Sequence, residues 1–196
     1  MKVGFVTPFN VRSAIGQHAR IVGEQLAKKG WTIDILRSEV TKEDFDPPLD
    51  TFLSVSWLVD APASALNKEY DLLIYNIGDN YLFHGAALDR LPQCPGLLIA
   101  HDFFLHNLFS GWLTKDISPD RTHDRVISNL YGIDPTILKA KSGLPDLETI
   151  ARLSPMVEWI SQFSNGAIAH ANFYADRLRM SCPGPVTVTP LAYQAN

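Results

Sequence analysis

Apolar residues in this chain gather into short runs, and between them lie stretches whose apolar positions recur at helical spacing. KVGFVTP, residues 2–8, is such a run and predicts a strand. It leads into AIGQHARIVGEQLAKKG, 14–30, where Ile15, Ala19, Val22, Leu26 and Ala27 fall near helical spacing and Gly30 is the stop. WTIDIL, 31–36, alternates toward a second strand, which makes a βαβ unit with a crossover long enough for parallel pairing. Residues 41–66 are acidic and proline-bearing, with one candidate strand in FLSVSWLV, 52–59. YDLLIYNIG, 70–78, is the next strand, LFHGAALDRL, 82–91, a short helix, and GLLIA, 96–100, a strand apolar enough to be buried on both faces. GAIAH, 166–170, and PVTVTPL, 185–191, close the series.

Repeated βα alternation predicts an α/β fold, a Rossmann-like doubly wound and mostly parallel sheet with helices on both faces. About sixty residues between HDFFLH, 101–106, and GAIAH carry helical patterns instead, notably RTHDRVISNLYG, 121–132, and LETIARLSPMVEWISQFSNG, 147–166. They predict a helical insertion near residues 104–163, kinked or split at Pro155. An insertion after a strand's carboxyl end is expected over the binding crevice, where lids and acceptor-binding elements lie. With 196 residues the chain is sized for one domain, 1–196.

Composition narrows the function classes. A net charge of -4 with 19% charged residues gives no basic bias, so nucleic acid is not an expected partner. No secretory signal and no apolar stretch of spanning length is present, so the expected location is cytoplasmic; membrane association is allowed but nothing points to it. Cys94 and Cys182 are far apart and form neither a C-x-x-C motif nor a disulfide framework.

Ligands of open parallel sheets bind beyond the carboxyl ends of the strands, so the polar residues just after each run are the candidate chemistry. His101 and Asp102 follow GLLIA, with capping of the next helix as their bland alternative. Asn76, Asp79 and Asn80, in NIGDN, follow DLLIY, where they can contact a polyhydroxylated ligand or close the loop as Asx-turns. His170 ends GAIAH, and Asn172 stands at a helix cap. The first loop has the position of a phosphate cradle but not its glycines: Gly16 alone is present, without G-x-G-x-x-G or a P-loop. Gly16 offers helix-start N–H groups beside Arg12, Ser13, Gln17 and His18. His101, Asp102, His106, His123 and Asp124 are competent metal ligands, and paired His-Asp doublets also occur in all-helical phosphohydrolases. Here the first doublet follows a strand and no metal-site spacing supports it, so no metal is expected; His123 and Asp124 read as a helix's first turn.

Taken together, KVGFVTPFNVRSAIGQHARIVGEQLAKKGWTIDIL, YDLLIYNIGDN, PGLLIAHDFFLH, GAIAHANFYADRL and PVTVTPLAY resemble, in order, the N-terminal domain of a GT-B fold glycosyltransferase of family 4. The family's first loop has glycine where Ala14 stands. The resemblance implies a retaining enzyme that moves a sugar from a nucleotide-diphosphate donor to a saccharide or lipid-linked acceptor, with no cofactor beyond the donor substrate. It gives His101 the catalytic position against the donor sugar, and Gly16, Gln17, Asn76, Asp79, Asn80, Asp102 and His170 the donor- or acceptor-binding positions. It also implies a partner: the family's nucleotide-binding C-terminal domain carries two glutamates eight positions apart, and no such pair occurs here. The chain is then an acceptor-side half, catalytically incomplete alone. A non-catalytic α/β saccharide- or protein-binding module is the alternative.

Overall fold

The structure is a computed structural model, and it describes residues 1–42, 47–115, 122–139 and 146–192. The acidic segment 43–46, Arg121 at the start of the RTHDRVISNLYG pattern and the tail 193–196 lie outside them.

Seven strands form one sheet: β1 Lys2–Thr7, β2 Thr32–Arg37, β3 Ser54–Trp57, β4 Leu72–Ile77, β5 Leu97–Ala100, β6 Gly166–Ala169 and β7 Val186–Val188. Their spatial order is β3-β2-β1-β4-β5-β6-β7, and all six neighbouring pairs are parallel. The chain works outward from β1 to β3, then returns to lay β4 on the other side of β1, so connections diverge between β1 and β4. Such a reversal opens a crevice at the carboxyl ends of the two strands.

Side-chain alternation sends each central strand's apolar residues to both faces. Val3, Phe5, Ile33, Ile35, Ile74 and Ile99 pack on one face, against Ala19, Val22 and Leu26 of α1, Ala14–Lys28. Val6, Leu36, Tyr75, Ile77 and Leu98 pack on the other, in a larger core. That core takes residues from α2, Ala63–Glu69, α3, Tyr81–Arg90, α4, His106–Lys115, α5, His123–Tyr131, α6, Leu147–Leu153, α7, Val157–Ser161, and α8, Asn172–Ser181. Burying each large apolar side chain stabilises the fold by about 1.5–3 kcal/mol. The doubly wound α/β architecture with helices on both faces is therefore the observed one.

α1 begins at Ser13, whose Oγ accepts the Gly16 N–H at 2.9 Å, and ends with Gly30 at φ +91°, in the left-handed region open to glycine. Pro155 divides the predicted long helix into α6 and α7, and the next residue, Met156, takes φ 75°. α5 starts with Thr122 accepting the Arg125 N–H, which puts His123 and Asp124 in its first turn. Asn172 is the first residue of α8, with Ala171 in the capping position. Cys94 and Cys182 are both buried free thiols.

The insertion between β5 and β6 is a packed layer: Leu105, Leu108, Phe109, Ile127, Leu138, Ile150, Val157 and Ile160 all belong to the larger core. α4 opens the helical insertion expected near 104–163, whereas α2 is a helix that the apolar pattern does not announce.

Candidate functional site

The loops after β1, β4, β5 and β6 converge at the carboxyl edge of the sheet. After β1 the chain dips inward and buries Phe9 and Asn10 completely. They are held by Glu39, itself fully buried just beyond β2: Glu39 Oε1 accepts the Phe9 N–H at 3.0 Å, an Asn10 Nδ2 proton at 3.0 Å and an Arg37 Nη2 proton at 2.9 Å. The Arg37 guanidinium lies over the Trp57 ring at 4.0 Å. Asn10 passes the constraint on, since its Oδ1 accepts the Arg12 N–H and its carbonyl the Ser13 N–H, both at 3.0 Å. The loop therefore enters α1 in one conformation, and His18 follows one turn into the helix.

Three histidines meet at this edge. The ring of His101, after β5, is 4.9 Å from that of His18 on α1 and 4.9 Å from that of His170 after β6, with His18 and His170 at 5.5 Å. Tyr174 pins the last two loops: its hydroxyl donates to the Ala100 carbonyl at 2.8 Å and accepts the His170 N–H at 2.7 Å. Burial, followed by the neighbouring histidines, pushes His101 down to about 2, and burial also lowers His18. His101 is neutral at ordinary pH. A fourth histidine, His84 of α3, lies behind the loop after β4; its Nε2 accepts the Gly78 N–H at 3.2 Å, and burial lowers it to about 3.

Around His101 and Asp102 the crevice has two compartments. One, of about 840 Å³, runs past Ala14, Gln17 and His18 of α1 to Leu191. The other, of about 530 Å³, is bounded by Asp79, Phe103, Phe173 and His170 besides His101 and Asp102. His101, Asp102, Gln17 and His170 thus face the crevice. Asp79 reaches its margin, but both its oxygens are engaged at the start of α4, by Asn107 Nδ2 at 2.7 Å and the Leu108 N–H at 2.8 Å. Asp102 does not cap that helix; its Oδ2 accepts the Asp79 N–H at 3.0 Å.

The remaining candidates sit elsewhere. Asn76 is fully buried and reaches the crevice only through His101, whose Nε2 is 3.1 Å from Asn76 Oδ1. Asn80 is an exposed residue at the start of α3. Gly16 is buried, its N–H is taken by Ser13 Oγ, and a Cβ there would run into the Pro8 carbonyl oxygen. Its glycine is required for close packing, so the expected anion-holding N–H at this position is already satisfied. Ala14 sits in ordinary helical backbone.

His106 and His123, separate in the sequence, come together away from the crevice: His123 Nε2 is 3.3 Å from His106 Nδ1, and His106 Nε2 is 2.6 Å from the Ser154 carbonyl. Neither joins the His101 cluster. Among the described residues no group of three or more His, Cys, Asp or Glu is placed to hold a metal ion. No helix among them is long and apolar enough to cross a membrane.

No family model matches this chain, and no curated protein does. Among solved structures it is similar to a sucrose-phosphate synthase from Thermosynechococcus elongatus, at 14% identity and a TM-score of 0.44, over 97% of this chain and 48% of that one. The chain thus spans about half the length of that protein.

Sequence reasoning did not find the Arg37–Glu39 support or the aromatic wall of Phe103 and Phe173. The signal for the first was present as a charged pair, RSE at 37–39, directly after an apolar strand. Phe173 follows Asn172, in a stretch read only for its helix cap.

Proposed function

We propose that this chain is the acceptor-side half of a retaining glycosyltransferase, binding sugar at the carboxyl edge of its sheet and acting with a nucleotide-binding domain. The observation that carries the reading is His101, a neutral imidazole at the end of β5, set between two further histidines where the loops of four strands meet. A neutral imidazole hydrogen-bonds hydroxyl groups and packs its ring against a sugar. The ordered strand-end motifs that resemble family 4 glycosyltransferases support the same reading.

In this scheme His101 contacts the donor sugar at the reacting carbon, and α1 presents Gln17 and His18 to the larger compartment. The departing diphosphate is stabilised by fixed dipoles and cations placed where its charge develops. The described residues lining the two compartments supply one cation, Arg20. The second domain is expected to bring the rest.

The test is nucleotide release from a panel of nucleotide-diphosphate sugars, using the product of the full reading frame that encodes this chain and then the 196-residue chain alone. Acceptor-dependent release by the former and none by the latter is the expected pair of results. No release by the full product with any donor overturns the assignment, and acceptor-dependent release by the chain alone overturns its catalytic incompleteness.

A further inference from the structure

Away from the crevice, the helical insertion encloses a further cavity of about 310 Å³. Phe104 is the single described residue that it shares with the two crevice compartments. Phe104, Leu138 and Ile150 give it apolar walls, and Leu147 stands beside them 67% exposed although it is a large aliphatic side chain. A cavity at the low end of the roughly 300–1,000 Å³ of ligand sites suits a molecule about the size of one amino acid. Its polar groups form a chain whose protons can be traced. The Ser154 carbonyl only accepts, and His106 Nε2 lies 2.6 Å from it, so His106 carries its proton on Nε2. Burial holds His106 below the ordinary histidine value, which leaves its Nδ1 a lone pair. His123 Nε2, 3.3 Å away, is therefore the donor to it. The other nitrogen of a neutral His123, Nδ1, is then a lone pair 3.4 Å from Asp124 Oδ1, also an acceptor. Two acceptors face each other and lack a proton to share. Asn107 is committed elsewhere, its amide donating to Asp79, and the exposed Lys139 completes the lining with the opposite charge.

Apolar walls, a pair of acceptors that includes a carboxylate, and a separate ammonium call for a small apolar ligand that carries both signs of charge. A simple anion would meet Asp124, and a simple cation would meet Lys139. An α-amino acid answers both. We propose that this cavity binds a free α-amino acid with an apolar side chain: its ammonium donates to Asp124 and to His123 Nδ1, its carboxylate pairs with Lys139, and its side chain lies against Leu138, Leu147 and Ile150. The ammonium supplies the proton that the His123 and Asp124 acceptors share, through hydrogen bonds of the stronger, charge-assisted kind. The apolar body covers Leu147, which the fold itself leaves in water. The site is independent of the glycosyltransferase reading, because none of the residues assigned to sugar transfer lines this cavity.

Isothermal titration calorimetry of the 196-residue chain with L-leucine, L-methionine and L-phenylalanine tests the proposal. At least one of them should bind at a single site. The N-acetyl derivative of the tightest binder lacks the ammonium and its amide lacks the carboxylate, and each should bind about tenfold more weakly or worse. L-Serine, which keeps both charges without the apolar body, should bind more weakly too. Asp124→Asn and Lys139→Gln change exposed side chains, so each should weaken binding about tenfold with the melting temperature little changed. Imidazole ¹⁵N spectra at about pH 8, above the ordinary histidine range, should show His106 and His123 both protonated on Nε2, and the bound amino acid should move His123 Nδ1. No binding of any of the three amino acids, equal binding of the N-acetyl or amide derivative, unchanged affinity in either variant, or a His123 Nδ1 resonance that stays in place would each overturn the proposal. Nucleotide release tests sugar transfer and calorimetry tests this cavity, so the two readings fail separately.

Discussion

A buried histidine and a half-buried one make this fold acid-sensitive in a window that carboxylates do not explain. His84 and His101 are lowered to about 3 and about 2, chiefly by burial, whereas an unfolded histidine titrates near ~6.5. Between those values the unfolded chain binds protons that the folded chain refuses. Stability from these groups is therefore complete above pH ~6.5 and is lost as pH falls below it. Integrating that difference from pH 7 to pH 5 gives about 2 kcal/mol for each histidine, or about 4 kcal/mol for the pair. Against the 5–15 kcal/mol of a typical domain, roughly, that is a large fraction. His18 and His106, also lowered by burial, act in the same direction. Asp79 opposes them, because burial raises its carboxyl and the folded state takes up that proton first. Asp134 and Asp146 are lowered below the ordinary carboxylate value, so their loss comes only at more acid pH. Urea unfolding followed by tryptophan fluorescence at several pH values from 5 to 7.5 measures the slope. The wild-type midpoint should fall steadily below pH 6.5, and a His84→Gln, His101→Asn double variant should lose most of that slope. An unchanged slope in the double variant would refute the linkage argument, as would a flat wild-type profile.

Three further outcomes follow from the geometry. His101→Ala in the full reading-frame product should lower turnover about 30- to 1000-fold, the cost of one contact that strengthens in the transition state, with a normal thermal melt; normal turnover would remove His101 from the chemistry. Gly16→Val drives a branched side chain against the Pro8 carbonyl and should cost about 1–3 kcal/mol in denaturant unfolding, with sugar transfer reduced alongside. Glu39→Gln removes the charge from the buried carboxylate that Arg37, the Phe9 N–H and the Asn10 amide share and should cost about 1–3 kcal/mol by the same measurement, while an exposed control, Asp176→Asn, should cost almost nothing.

The central strands were legible because strands of a parallel sheet covered on both faces read as unbroken apolar runs, as KVGFVT, LLIYNI and LLIA do. Their spatial order was not, because pairing of β4 with β1 depends on crossovers that leave no local pattern. α2 escaped because it buries only Leu66 and so has no apolar stripe. α4 falls inside the expected helical insertion, but its start left no local signal: the Asp79 carboxylate that receives the Leu108 N–H and the Asn107 side-chain amide lies far back in the sequence. The same fact gives Asp79 a structural role that its place in the sequence does not show: it reads as a polar strand-end residue, and the helix it serves sits beyond the next strand. His101 and His170 were legible by position, each being the residue after a buried strand. His18 completes the cluster through its phase on α1, one residue before the buried Ala19, which turns it toward the sheet's carboxyl edge.

The first loop shows how a site of this kind is held without the glycines that usually shape it. Where the resembled family has glycine, this chain has Ala14, which sits in the first turn of α1 with helical backbone and no left-handed strain. The loop obtains its shape from below. Glu39 gathers the Phe9 N–H, the Asn10 amide and Arg37, and Asn10 in turn fixes Arg12 and Ser13. A buried ion pair contributes little net stability compared with an apolar substitute, because desolvation offsets the attraction. Its directional hydrogen bonds are what an apolar core lacks, and here they end on the backbone that leads into Gly16 and His18. In that arrangement Glu39 acts as a positioning residue: fully buried, it determines where α1 starts and hence how far His18 stands from His101.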